Sequence, residues 1–167
     1  MLGHITSPSA PGGLDRRELP DPEPGPHEAL VAVRAYAINR GELSLLEQRT
    51  DGWLPGQDVA GEVVAQAADG SGPPAGTRVV GLCDWEGWAE RAAVPVHRMA
   101  ALPDNVSFAA ASAVPVAGLT ASSRSATDLI PSGIWVDPVN VIQLSVARPC
   151  GDRKSRPVSA PVQSGVE

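Results

Sequence analysis

The sequence predicts a mainly β domain, a small barrel-like sheet with short helices, followed by an irregular tail. Three observations carry this. Glycine and proline number 17 each in 167 residues, too many for a helical bundle and suited to short strands joined by tight turns. Several short runs alternate apolar and polar side chains and are bounded by turn residues. Helical spacing is confined to three short stretches, two of them after the last strand signal of the barrel.

Taken in order, residues 14–19 form a short candidate strand. Residues 20–26 follow as a proline-spaced turn that cannot be a central strand. Residues 28–39 (EALVAVRAYAIN) alternate, with Val31, Val33, Ala35 and Ala37 on one face, and predict a strand. Residues 40–48 switch to helical spacing through Leu43, Leu46 and Glu47. Residues 59–67 predict the next strand, 69–76 (DGSGPPAG) a turn, and 77–82 a buried strand. Residues 87–94 and 99–102 predict two further strands, the second an edge piece. Ser107 is a plausible N-cap for a helix over 108–114, and a second helix is predicted over 116–123. From Ser122 the chain turns rich in Ser, Pro and Arg; one apolar run, 139–147, is a candidate strand, and the rest reads as disordered coil.

Bulk properties exclude several classes of function. A net charge of −6 argues against nucleic acid and against anionic membrane surfaces as partners. Two cysteines, Cys83 and Cys150, can build neither a disulfide framework nor a four-cysteine zinc site. The opening residues show no basic and apolar leader pattern, and no stretch approaches a membrane span, so a cytoplasmic protein is expected. His4, His27 and His97 sit in turn-like polar surroundings and are expected to be exposed, without a Ser or Cys partner at triad spacing. Trp85 and Trp88 flank the loop CDWEGW, where they either line a cleft or pack in the barrel, and Cys83 beside them reads as a small buried hydrophobe.

Five segments in order, PGPHEALVAVRAYAINRGEL, PGQDVAGEVV, PPAGTRVVGL, GWAERAAVPV and LPDNVSFAAASAVPVAGLTA, resemble the amino-terminal GroES-like domain of medium-chain dehydrogenase/reductases. The likeness is to the zinc-independent, quinone-oxidoreductase-like branch and covers residues 14–121. It implies a GroES-like, partly open β-barrel over residues 1–121, an irregular tail over 122–167, and an active site in the cleft toward a Rossmann domain. Relatives pass a hydride between NADPH or NADH and quinones, enones, aldehydes or alcohols, so NADP or NAD and a small-molecule substrate are implied.

The resemblance also assigns residues. Asn39 stands where zinc enzymes place a cysteine and where zinc-free relatives hold an amide near the nicotinamide ribose; the alternative is a turn-capping role. Gly56-Gln57-Asp58 stands in place of Gly-His-Glu. Neutral amides are poor zinc ligands, so no metal is expected. Asp58 is expected to be a buried structural hydrogen-bonding group. Thr120 matches a position near the nicotinamide carboxamide. Arg40, Tyr36 and Trp85 are candidates for the substrate cleft, with a solvated helix start the alternative for Arg40 and strand packing for Tyr36.

In the family a strand and a glycine-rich phosphate-binding turn follow this point. No such run follows Ala121 here. The Rossmann domain is therefore expected to be missing and the chain inactive alone, through a frameshift or truncated reading, with the uncovered barrel edge prone to self-association. The competing readings are a non-catalytic β-barrel binding module and a co-chaperone-like interaction domain.

Overall fold

The computed structural model describes residues 1–49, 52–124, 134–137 and 141–144. It opens with a strand that the sequence pattern does not announce. β1 (Leu2–Thr6) pairs antiparallel with β2 (Leu14–Glu18), Leu2 opposite Glu18 and Thr6 opposite Leu14. A bridge from Gly3 to Ala89 and the bond from His4 N–H to Trp88 O, 2.9 Å, tie this hairpin to the rest.

After the proline-spaced loop come β3 (Glu28–Tyr36), helix α1 (Arg40–Gln48), β4 (Asp58–Ala65), β5 (Arg78–Leu82), β6 (Arg91–Pro95) and β7 (Met99–Ala101). The five strands form one antiparallel sheet in the order β6-β3-β4-β5-β7, curled into a half-barrel. α2 (Phe108–Ser112) and α3 (Pro115–Arg124) close the described barrel region.

The two central strands explain their own composition. Inside the curl, Val31, Val59, Val63, Val79, Val94 and Met99 pack with Ala29, Ala92 and Cys83. On the other face Ala60 and Val80 pack with Leu102 and Ala111 beneath α2. Buried on both faces, β4 and β5 read as nearly continuous apolar runs rather than as an alternation. Each fully buried valine contributes about 1.5–3 kcal/mol of transfer free energy. Gly61 is required by close approach: a Cβ there would lie 2.0 Å from the Ala32 carbonyl oxygen. It sits where the β3–β4 register shifts, between the pairs Val33↔Gly61 and Ala35↔Ala60, so that Arg34 is the extra residue of a bulge.

Arg78 fixes the segment that leads into α2. Its Nη1 donates to Pro103 O at 2.9 Å and its Nη2 to Val106 O at 2.6 Å, while the guanidinium lies 4.6 Å from the centre of the Phe108 ring. Ser107 caps α2 as expected, its Oγ accepting from Ala110 N–H at 3.2 Å.

Two strand boundaries move. The strand expected over 28–39 stops at Tyr36, because Ala37 N–H turns to Asp58 O and Asn39 serves as a helix cap. The strand expected over 87–94 starts at Arg91, because residues 86–88 donate instead to the carbonyls of Leu54, Gly56 and Pro55. In the tail, β8 (Ile134–Asp137) pairs with β9 (Val141–Leu144), and β9 runs beside β7. The apolar run 139–147 thus contains a strand, while β8 was not anticipated. The remainder of the expected irregular tail, with Cys150, lies outside the described residues. Among the described residues no helix is long and apolar enough to cross a membrane.

Candidate functional site

Three loops meet where β3 ends, β4 begins and β5 ends. The stretches 54–57 and 83–88 are laced by backbone bonds, with Cys83 N–H on Gln57 O at 2.8 Å and Gly87 N–H on Gly56 O at 2.9 Å. Gly56 permits this contact: its φ is 114° and a Cβ would lie 2.2 Å from Trp88 N. Trp88, 2% exposed, donates its indole Nε1–H to Ala37 O at 3.0 Å and so ties the third loop to the other two.

A polar node lies at this junction. Asn39 is the N-cap of α1 and forms a capping box with Glu42. Its amide Nδ2 donates to Asp58 Oδ2 at 3.0 Å, and Asp58 Oδ1 accepts Val116 N–H, also at 3.0 Å. Asp58 thereby joins the start of α1 to the first turn of α3. Glu42 is used in full as well: Oε2 accepts Asn39 N–H at 2.7 Å and Oε1 accepts Gln57 N–H at 2.9 Å. Asp58 is 0% and Glu42 1% exposed. Burial pushes both carboxyls up from their ordinary values; for Asp58 the Asn39 amide and Val116 N–H oppose the rise, and for Glu42 the N–H groups of Asn39 and Gln57 do.

Asn39 is thus a helix cap and half-exposed, and Asp58 is buried with both carboxylate oxygens hydrogen-bonded. Thr120 is exposed on α3, one turn beyond the Val116 that Asp58 holds. Arg40 is exposed at the start of α1. Cys83 is buried, its thiol pushed up to about 12 first by burial and then by the Asp58 charge, and so it is an inert hydrophobe.

The aromatic candidates separate. Tyr36 lies 37% exposed rather than in the strand's core and stacks on Trp88 at 5.9 Å. With His4, Arg16, Arg34 and Glu90 these rings line an open groove of about 530 Å³. His4 is half-buried, not exposed: its Nδ1 lies 3.2 Å from Trp88 O and its ring meets Tyr36 edge-on. Trp85 instead meets Trp53 edge to face at 5.1 Å, with Arg49 above Trp53. Sequence reading missed both Trp53 and Glu42. Trp53 has no pattern to betray it, but Glu42 stands three residues after an N-cap Asn, the spacing of a capping box. Among the described residues, no group of three or more His, Cys, Asp or Glu side chains gathers as a metal site would require.

Comparison with known proteins bears on the family and the fold. The family model for the alcohol dehydrogenase GroES-like domain matches residues 25–104. A synaptic vesicle membrane protein VAT-1 homolog-like from Mus musculus is 30% identical over 113 residues, 65% of this chain and 27% of its own length. A chloroplastic quinone-oxidoreductase QR1 from Triphysaria versicolor is 34% identical over 125 residues, 65% of this chain and 36% of its own. In fold, the Escherichia coli quinone oxidoreductase solved with NADPH superposes with a TM-score of 0.69 at 20% identity, over 80% of this chain and 43% of that one. The chain therefore spans well under half the length of these relatives.

Proposed function

Residues 25–104 belong to the alcohol dehydrogenase GroES-like family, within the quinone-oxidoreductase-like branch of the medium-chain dehydrogenase/reductases, and on that premise we propose that this chain supplies the substrate-side half of an NADPH-dependent reduction of quinones or enones. The observation that carries the proposal is the Asn39–Asp58–Val116 connection, which sets the two cofactor candidates, Asn39 and Thr120, on elements locked to one carboxylate. A nicotinamide, when bound, supplies the hydride. This chain's part is to hold the Asn39 amide still and to offer Trp85, with Arg40 beside the cap, to a planar acceptor. Orientation of this kind is the main return of a pre-built site. Tyr36 opens into the separate groove with His4 and is assigned no part in the transfer.

Zinc does not fit these residues. Both oxygens of Asp58 and both of Glu42 already accept hydrogen bonds, the amides nearby are neutral, and the Cys83 thiol beside them is buried in the apolar cluster and pushed up to about 12. A zinc-free site follows, and NADP rather than a metal is the implied cofactor.

The phosphates of that cofactor find no counterpart in these residues. Among the described residues, the glycine-spaced turn 70–76 leads into strand β5 and not into a helix. Our reading is therefore that the described residues supply no grip for the dinucleotide's phosphates. The partner is a small molecule, and the outer edge of β6 is where self-association would start.

Two titrations test the proposal. NADPH fluorescence is expected to show no saturation up to about millimolar cofactor, a free energy below roughly 4 kcal/mol. A water-soluble quinone is expected to shift the NMR signals of Asn39, Trp85 and Thr120. Saturation at micromolar NADPH overturns the first half of the reading, and quinone shifts confined to the His4–Tyr36 groove overturn the second.

A further inference from the structure

Glu42 is buried to 1% exposure, sits on the first turn of α1, and has each carboxylate oxygen on a different loop. We propose that Glu42 is the positioning residue of the site: it fixes the backbone of Asn39 and of Gln57 at one distance and so sets the plane in which the Asn39 amide is presented.

The argument is one of geometry. Oε2 holds Asn39 N–H at 2.7 Å and Oε1 holds Gln57 N–H at 2.9 Å, so a rigid three-atom carboxylate bridges the end of β3 to the residue before β4. Asp58, next in the chain to Gln57, then meets the Asn39 side chain at 3.0 Å. Backbone and amide of Asn39 are thus held by two different carboxylates. A capping box needs only the first of Glu42's bonds. The second reaches across 15 residues of chain and has no role in capping α1. Its effect is to bind residues 39 and 57 directly, beside the links that Asp58 and Trp88 make between their loops. Charge-assisted bonds to backbone N–H groups are about twice as strong as neutral ones. Carboxylates here do the cross-linking that a shared ligand would do between the same loops.

The functional meaning rests on the reading of Asn39 as the amide that meets the nicotinamide end, but its test uses no cofactor. In the full chain, Glu42→Gln keeps size and one acceptor oxygen while turning an amide N–H₂ toward one of the two backbone donors. Hydrogen exchange of the Asn39 side-chain amide, identified by its loss in Asn39→Asp, is expected to rise about tenfold or more, the size of one lost charged hydrogen bond. The backbone amides of Val31 and Val63 are expected to keep their protection. Glu42→Ala serves as the second variant and is expected to give the same pattern, larger. Unchanged Asn39 exchange in both variants overturns the proposal. So does a loss of protection spread evenly over β3 and β4, which would make Glu42 a residue of general stability. Saturation at micromolar NADPH, by contrast, bears on the proposed function and leaves this assignment standing.

Discussion

Val63 in the barrel interior and Asp58 earlier on the same strand are both shut away from solvent, at 2% and 0% exposure. They hold the fold by different means. Val63 is one of several valines in a dry cluster where every contact is weak, non-directional and shared among neighbours. The Asp58 side chain accepts two directional bonds, from Asn39 Nδ2 and Val116 N–H, one on each oxygen. The comparison teaches that β4 changes its task along its length: its middle supplies cohesion, and its first residue supplies alignment.

The largest effect should come from removing the alignment. Asp58→Leu leaves the Asn39 amide and the α3 terminus without their carboxylate acceptor at a partly buried junction. A loss of about 3 kcal/mol is expected by chemical denaturation, with the Val116 amide losing protection first. A loss under about 1 kcal/mol would mean that water replaces the carboxylate and that the contrast with Val63 is overstated.

Val63→Ala should cost somewhat less, about 2 kcal/mol, because the cluster around it relaxes only in part. The loss should appear in global unfolding and leave the Asn39 and Val116 signals in place. Movement of those signals would show that the two regions are coupled.

The smallest effect is a dependence on pH. Burial raises the Glu42 carboxyl above its ordinary 4.5 in the folded protein. Between that value and the higher folded one, the folded state binds more protons than the unfolded chain, so stability falls as pH rises and then levels off. Glu42→Gln removes this contribution. The stability advantage of the unaltered protein over Glu42→Gln should therefore shrink as pH climbs from 4.5. Asp69, lowered to about 2 chiefly by its bonds with Ser71, is present in both proteins and cancels. A constant difference across pH 4.5 to neutrality would place the Glu42 charge in contact with water.

Much of the fold was legible in the sequence because its signals are local. Helix α1 begins and ends where the spacing of Leu43, Leu46 and Glu47 put it, and Ser107 caps α2 as its position implied. β1 was not legible, because its partners lie in β2 and at Ala89, and a short strand without alternation has no local mark. The site was legible in part. The family motif pointed to Asn39 and Asp58, which the structure joins by a hydrogen bond. Glu42 was passed over because a glutamate on a short amphipathic helix reads as solvated, and only the fold brings Gln57 N–H over it. Tyr36 and Trp85 were each candidates for the substrate cleft, with packing as the alternative. The lacing of residues 86–88 onto 54–56 instead turns Trp88 toward Tyr36 and Trp85 toward Trp53.

Arg78 has a consequence for how this sequence can drift. Most of the arginines between residues 16 and 98 are exposed enough for lysine to serve. Position 78 is different, since the flat side chain forks to two carbonyls while lying on the Phe108 ring. A lysine there carries the same charge but has one nitrogen and no plane, so it can satisfy one carbonyl or sit on the ring, not both. Homologues that keep this turn before the helix should therefore retain arginine at that position while exchanging it freely elsewhere.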